Sequence, residues 1–184
     1  MKKQLLTLVT GMMIFNSCGS VIYNGYKPLS NSKNEVIYKK QNEFNDYNYY
    51  RHKTMFLSIS TSPIYLYVSE KDNKKYLRAE FRYDGADWIF FKKATLLNSN
   101  KSKMSFSFDS FKRETNVKYS GNGVSEEYDV SLDESQAKEL LSLLNSNEGK
   151  IKLRLEGDNN LKDYVLKKSH IESFKELLDF YFRR

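Results

Sequence analysis

The chain has 184 residues, 30 Lys+Arg against 23 Asp+Glu (a formal charge of +7), 40% apolar residues and 15% aromatic residues. That length suits one domain with a short appendage, and the apolar and aromatic content excludes a wholly disordered chain. Two His and one Cys exclude a disulfide framework and a Cys/His zinc centre.

The first segment pairs Lys2 and Lys3 with an apolar run over residues 5–15 and a small residue, Ser17, just before the only cysteine, Cys18. Those are the parts of a secretory leader. The run is too short for a hydrocarbon core that needs roughly 20 residues, and no later run approaches that length, so no transmembrane helix is expected.

The sequence Phe15-Asn16-Ser17-Cys18 resembles the lipobox of a bacterial lipoprotein precursor, usually Leu-(Ala/Ser)-(Gly/Ala)-Cys. Ser17 and Cys18 fit that pattern, whereas Phe15 and Asn16 depart from it. The resemblance covers only the leader. It implies cleavage before Cys18, giving a signal peptide over residues 1–17, and acylation of the Cys18 sulfur. The expected partner is therefore a membrane, reached through a lipid anchor on Cys18, since each buried CH₂ contributes about 0.8 kcal/mol and two or more chains hold stably. Gly19 rather than Asp after the cysteine implies an outer-membrane destination where the organism has one. Part of the positive charge thus belongs to targeting.

Residues 18–50 are rich in Asn, Lys and Tyr, show no sustained period and hold Pro28, so a lipidated N-terminus and flexible tether are expected there. Val36-Ile37-Tyr38 offers an alternative, an edge strand docked on the body. Tyr47, Tyr49 and Tyr50, beside Arg51 and His52, read either as ligand-contacting rings or as the first packed residues of the domain.

Residues 51–184 read as a single α+β globular domain. A strand is expected where Met55, Leu57 and Ile59 alternate with Phe56, Ser58 and Ser60, and a hairpin where Ile64, Leu66 and Val68 and then Leu77, Ala79, Phe81 and Tyr83 flank a turn at residues 70–73. Arg78, Glu80 and Arg82 give the second of those strands a wet face. Asp84-Gly85-Ala86-Asp87 reads as a turn, and Trp88-Ile89-Phe90-Phe91, apolar on both faces, as a central strand. Met104, Phe106 and Phe108 mark another strand. Residues 117–119 and 128–130 mark a hairpin around Gly121 and Gly123. Ser131-Leu132-Asp133-Glu134 has the capping-box pattern and precedes Ala137, Leu140, Leu141 and Leu144 at helical spacing. Strands follow near Ile151, Leu153 and Leu155 and over residues 161–166. A second box, Ser169-His170-Ile171-Glu172, opens a helix that buries Ile171, Phe174, Leu178 and Tyr181. The expected fold is a twisted antiparallel β-sheet or partial sandwich with two C-terminal amphipathic helices packed on it. The body also resembles exported bacterial domains with an Asp-Trp strand like Asp87-Trp88, a likeness that carries no activity.

Chemistry is sparse. No nucleophile motif or phosphate-binding glycine loop appears. Asp84 and Asp87 are the weak ligand-binding candidates, but Ca²⁺ wants six to eight oxygens and two carboxylates do not supply them. No metal, no cofactor and no catalytic residue is expected. Basic residues are dispersed in pairs such as Lys74-Lys75 and Lys92-Lys93, which argues against nucleic acid. The expectation is a non-catalytic binding or scaffolding module at the cell envelope, partnering an envelope protein or an anionic glycan. An envelope hydrolase with carboxylates assembled by the fold among Asp84, Asp87, Asp109, Glu126 and Asp129 is the alternative, as is a secreted inhibitor or immunity-type protein.

Overall fold

The computed structural model describes residues 25–30, 32, 35–57, 62–117, 123–146, 150–158 and 160–183. The leader, the lipobox and Cys18 lie outside the described residues. The rest is α+β, with two antiparallel sheets and two long helices enclosing one core.

The first sheet has seven strands in the order β1-β2-β3-β4-β5-β9-β8. They are β1 (Lys27–Pro28), β2 (Ile37–Asn42), β3 (Tyr47–His52), β4 (Ile64–Lys71), β5 (Lys74–Gly85), β8 (Glu114–Val117) and β9 (Val124–Leu132). The second sheet has four, in the order β11-β10-β6-β7: β6 (Lys93–Leu97), β7 (Lys103–Ser107), β10 (Lys152–Glu156) and β11 (Leu161–Val165). A short helix, α1 (Thr54–Leu57), leaves β3. The long helices are α2 (Glu134–Asn145) and α3 (Lys168–Phe182).

The β4–β5 hairpin forms where expected. Its two-residue turn, Asp72-Asn73, has positive φ at both positions (51° and 60°), the conformation that matches strand twist. Leu66 faces Ala79 and Val68 faces Leu77, so both strands send their apolar residues to one side. On that inner side, Phe81 meets Phe106 of the second sheet with ring centroids 4.9 Å apart. Ala94, Leu96, Met104, Leu153 and Leu155 fill the space between the sheets. Helix α3 packs on β3, β4 and β5 from the same side, with Phe180 against Tyr50 at 4.9 Å. Helix α2 packs on β7 and β9.

Six local expectations are corrected. Among the described residues, the stretch expected as tether over residues 18–50 is already in the sheet at Lys27–Pro28 and folded from Ile37 onward, because β1 pairs with β2, β2 and β3 pair along their full length and β3 pairs with β4. The docked-edge alternative is the one observed, and the folded body extends N-terminally of residue 51. Met55 and Leu57 lie in α1 rather than a strand. Residues 88–91 form no strand. Helix α2 is capped by Asp133, which accepts from the Gln136 N–H at 2.8 Å while Gln136 accepts from the Asp133 N–H at 3.0 Å. The box starts two residues late because Ser131 and Leu132 are still paired with Arg78 and Leu77 in the sheet. Helix α3 starts after Lys167 without a side-chain cap. On the helix faces, Leu143 replaces Leu141 among the buried residues of α2, and Leu177 replaces Tyr181 in α3.

Candidate functional site

Among the described residues, the second sheet and both long helices cover one face of the seven-stranded sheet. The opposite face is lined by the alternate residues of β3, β4, β5 and β9. Strand alternation fixes which tyrosines reach it. Tyr50 pairs in register with Val68 and points inward, where it is 5% exposed. Its hydroxyl is pushed up to about 12 by burial, with Glu70 adding to the effect. Tyr47 and Tyr49 take the opposite parity and lie on the open face. The three-tyrosine cluster is thus divided between core and surface.

On that face Tyr47 stacks on Tyr49 at 6.1 Å, and Tyr49 stands 6.2 Å from Tyr67. The Arg51 guanidinium lies between Tyr26 and Tyr67, 5.6 Å and 5.2 Å from the ring centroids, and Lys71 lies over Tyr47 at 5.2 Å. Such cation–π contacts contribute about 0.5–1 kcal/mol each at exposed sites. Arg51 also stands 4.0 Å from Glu80. Burial raises the Glu80 carboxyl above its ordinary value, and the nearby Glu127 and Asp129 charges add to this against the opposing pull of Arg51. The Tyr67 hydroxyl donates to Asp129, which also accepts from Arg78 Nε at 3.0 Å. Burial, then that hydrogen bond, raises Tyr67 above its usual value.

The carboxylates that a fold-assembled hydrolase would use are dispersed. Asp84 accepts from Arg82 Nε at 2.9 Å, and Asp87 offers its backbone carbonyl to the Tyr83 hydroxyl at 2.8 Å. Asp109 caps a single 3-10 turn over Ser110–Lys112. Glu127 pairs with Arg82 at 3.3 Å. Among the described residues, no group of three or more His, Cys, Asp and Glu comes together as a ligand set.

Glu126 has a different task. It is 0% exposed. One carboxylate oxygen accepts the N–H of Ile89 at 2.7 Å and of Phe90 at 2.8 Å, and the other accepts that of Phe91 at 3.0 Å. The carboxylate thereby satisfies three backbone donors that an apolar segment without ladder partners leaves open. Phe90 is held at φ 51°, a conformation uncommon for a bulky residue. Its ring stacks on Trp88 at 5.6 Å under the Arg113 guanidinium. Gly157, in the β10–β11 turn, lies so close to the Ile89 carbonyl that no Cβ fits there.

Both histidines are buried. His52 Nδ1 accepts from the Thr54 N–H at 3.1 Å, so the ring proton sits on Nε2 and is donated to Glu176 at 2.6 Å. A proton added at Nδ1 would face another N–H. Burial lowers the His52 pKa below its ordinary value, outweighing Glu176, and burial likewise lowers that of His170, with help from Lys167. Sequence offered no sign of Glu176, which is 124 residues from its partner.

No protein-family model, curated protein or solved structure matches this chain.

Proposed function

We propose that this chain is a lipid-anchored extracytoplasmic protein, held through Cys18 to the cell membrane (the outer membrane where one exists), that binds an envelope protein without catalysis. The observation that carries the binding reading is the open face of the seven-stranded sheet. Tyr47, Tyr49 and Arg51, partly exposed there, are residue types that concentrate binding energy at interfaces, the tyrosines because they bury large area at low rotamer cost. The carboxylates offer further support. Asp84, Asp109, Glu126 and Asp129 each serve a cation or a backbone N–H, a use that explains them without a reaction.

The anchor and the face are tested separately. Cys18→Ser should abolish incorporation of labelled palmitate and release the protein from membranes; unchanged incorporation overturns the anchor. The released chain should capture an envelope protein, and Tyr49→Ala with Arg51→Ala should abolish that capture while leaving the circular dichroism spectrum unchanged. Capture that survives both changes removes the face from the reading.

A further inference from the structure

One groove of about 560 Å³ runs along the side of the molecule where the two sheets stand open to each other. Phe106, Phe108 and Val130 line it, with Ser105 and Ser107 of β7 on one bank and Asp129 and Ser131 of β9 on the other. Among the described residues, both banks are strand edges with no further strand paired to them along the groove. Strand β7 is the last in its sheet, and β9 is paired by β8 only over Val124–Glu127.

The direction of the backbone groups on these edges follows from the ladders. The Phe108 N–H bonds the Lys92 carbonyl and the Asn98 N–H bonds the Ser102 carbonyl. In this register Met104 and Phe106 therefore turn their backbone groups toward β6, and Lys103, Ser105 and Ser107 turn theirs outward. Likewise the Arg82 N–H bonds the Pro63 carbonyl on the β4 side, so Phe81 and Ala79 face β9 and pair with Tyr128 and Val130. Asp129 and Ser131 then face the groove. The Asp129 carbonyl accepts from Arg78 Nη2 at 3.4 Å. The N–H groups of Ser105, Ser107 and Ser131 have no partner among the described residues.

An exposed edge with unpaired donors and acceptors templates another strand. Here the edge borders a groove in which Phe108 and Val130 are partly exposed among polar residues, Arg78 and Gln136 included. Lys103 opens β7, and Lys112 lines the groove just past the strand's end; neither has a carboxylate partner among the described residues. We propose that this groove seats an extended acidic polypeptide segment, which adds a strand to the β7 edge through the backbone groups of Ser105 and Ser107. Alternate side chains of the segment lie on Phe108 and Val130, with a carboxylate among them at Lys112, and the others carry carboxylates toward Lys103 on the outer face of the four-stranded sheet. The inference does not depend on the tyrosine face or the lipid anchor.

The probe is a blocked nine-residue peptide of alternating Glu and Val, added to the full chain carrying Cys18→Ser and followed by backbone amide exchange. The Ser105 and Ser107 amides should slow by about tenfold or more on saturation, as donors newly held in a ladder do. Those of Met104 and Phe106, already in the β6 ladder, should not change. Ser107→Pro, which removes an outward donor at an edge position that tolerates proline, should abolish binding, while Ser107→Ala should keep it. Should the proline variant fail to fold, a peptide N-methylated at the positions that face β7 must fail to bind the unaltered edge. Protection mapped elsewhere, equal binding of a Lys/Val peptide, undiminished binding of the N-methylated peptide, or pairing of β7 edges in a concentration-dependent dimer would each overturn the proposal.

Discussion

Removing the Glu126 carboxylate tests how the segment over residues 88–91 is held. In Glu126→Ala the N–H groups of Ile89, Phe90 and Phe91 lose their acceptor, those of Ile89 and Phe91 in buried surroundings and that of Phe90 part-buried. A buried donor left unsatisfied costs about 1–3 kcal/mol. Two buried donors and the part-buried one of Phe90, with some relief from local opening, give a loss of about 3–6 kcal/mol. Glu126→Gln keeps one oxygen, able to accept from Ile89 and Phe90, but turns an NH₂ group toward the Phe91 N–H. One bond becomes a donor facing a donor, and the other two lose charge assistance, for a loss of about 2–3 kcal/mol. The alanine loss is a large part of the roughly 5–15 kcal/mol that holds a domain together. Urea unfolding followed by fluorescence is well placed to measure it, because the only tryptophan, Trp88, adjoins the site. The expected order is wild type, then glutamine, then alanine. An alanine variant within about 0.5 kcal/mol of wild type would refute the account, because it would mean that the three donors had found other partners without cost.

Acid should destabilise the protein in a window set by two histidines. His52 and His170 both have folded-state pKa values lowered from 6.5, so the unfolded chain takes up protons first. Stability is full above about pH 6.5 and falls as the pH drops through the lowered folded-state values; urea midpoints at pH 7.5 and 5.5 should show the drop, and His52→Asn with His170→Asn should flatten it. A chain beginning at residue 51 lacks β2 and most of β3, which bares the edge of β4 and leaves Val68 without its Tyr50 neighbour. It should be aggregated by size-exclusion chromatography, whereas one beginning at Gly25 should be monodisperse. Asp133→Ala removes the acceptor for Gln136 at the start of α2 and should cost about 1 kcal/mol in urea unfolding. Tyr67→Phe should cost about as much, by loss of the donor to Asp129.

Where a pattern of two or 3.6 residues coincides with a single buried face, sequence and structure agree. Leu77, Ala79, Phe81 and Tyr83 are buried and alternate with partly exposed Arg78, Glu80 and Arg82, because only one side of β5 meets the core. Ile171, Phe174 and Leu178 are buried along α3 for the same reason. The boundary of the folded body was harder to read, since β2 and β3 carry Lys, Asn and Gln on strands with one partly wet face and little continuous apolar character. Their pairing in the sheet, rather than their hydropathy, orders them. The same parity that makes β3 a strand separates Tyr50 from Tyr47 and Tyr49, so a cluster that reads as one feature becomes a core ring and two surface rings.

The segment Trp88-Ile89-Phe90-Phe91 shows why the remainder was not legible. Four apolar residues in a row suit a strand covered on both faces, and nothing nearby contradicts that reading. What decides the conformation is a carboxylate about 36 residues further on, where β9 carries Glu126 inward at the position opposite Tyr83. A strand would offer its N–H groups alternately to two neighbours, whereas the observed conformation turns three consecutive N–H groups toward one residue and accepts positive φ at Phe90 to do so. The buried carboxylate and the irregular backbone stabilise each other: without those donors the charge would be costly to bury, and without the charge the donors would be orphaned. Such a pair leaves no local pattern in either segment. Glu126-Glu127 reads only as one residue inward and one outward, and the inward glutamate on an otherwise apolar strand face was the one available sign that a set of backbone donors stands opposite.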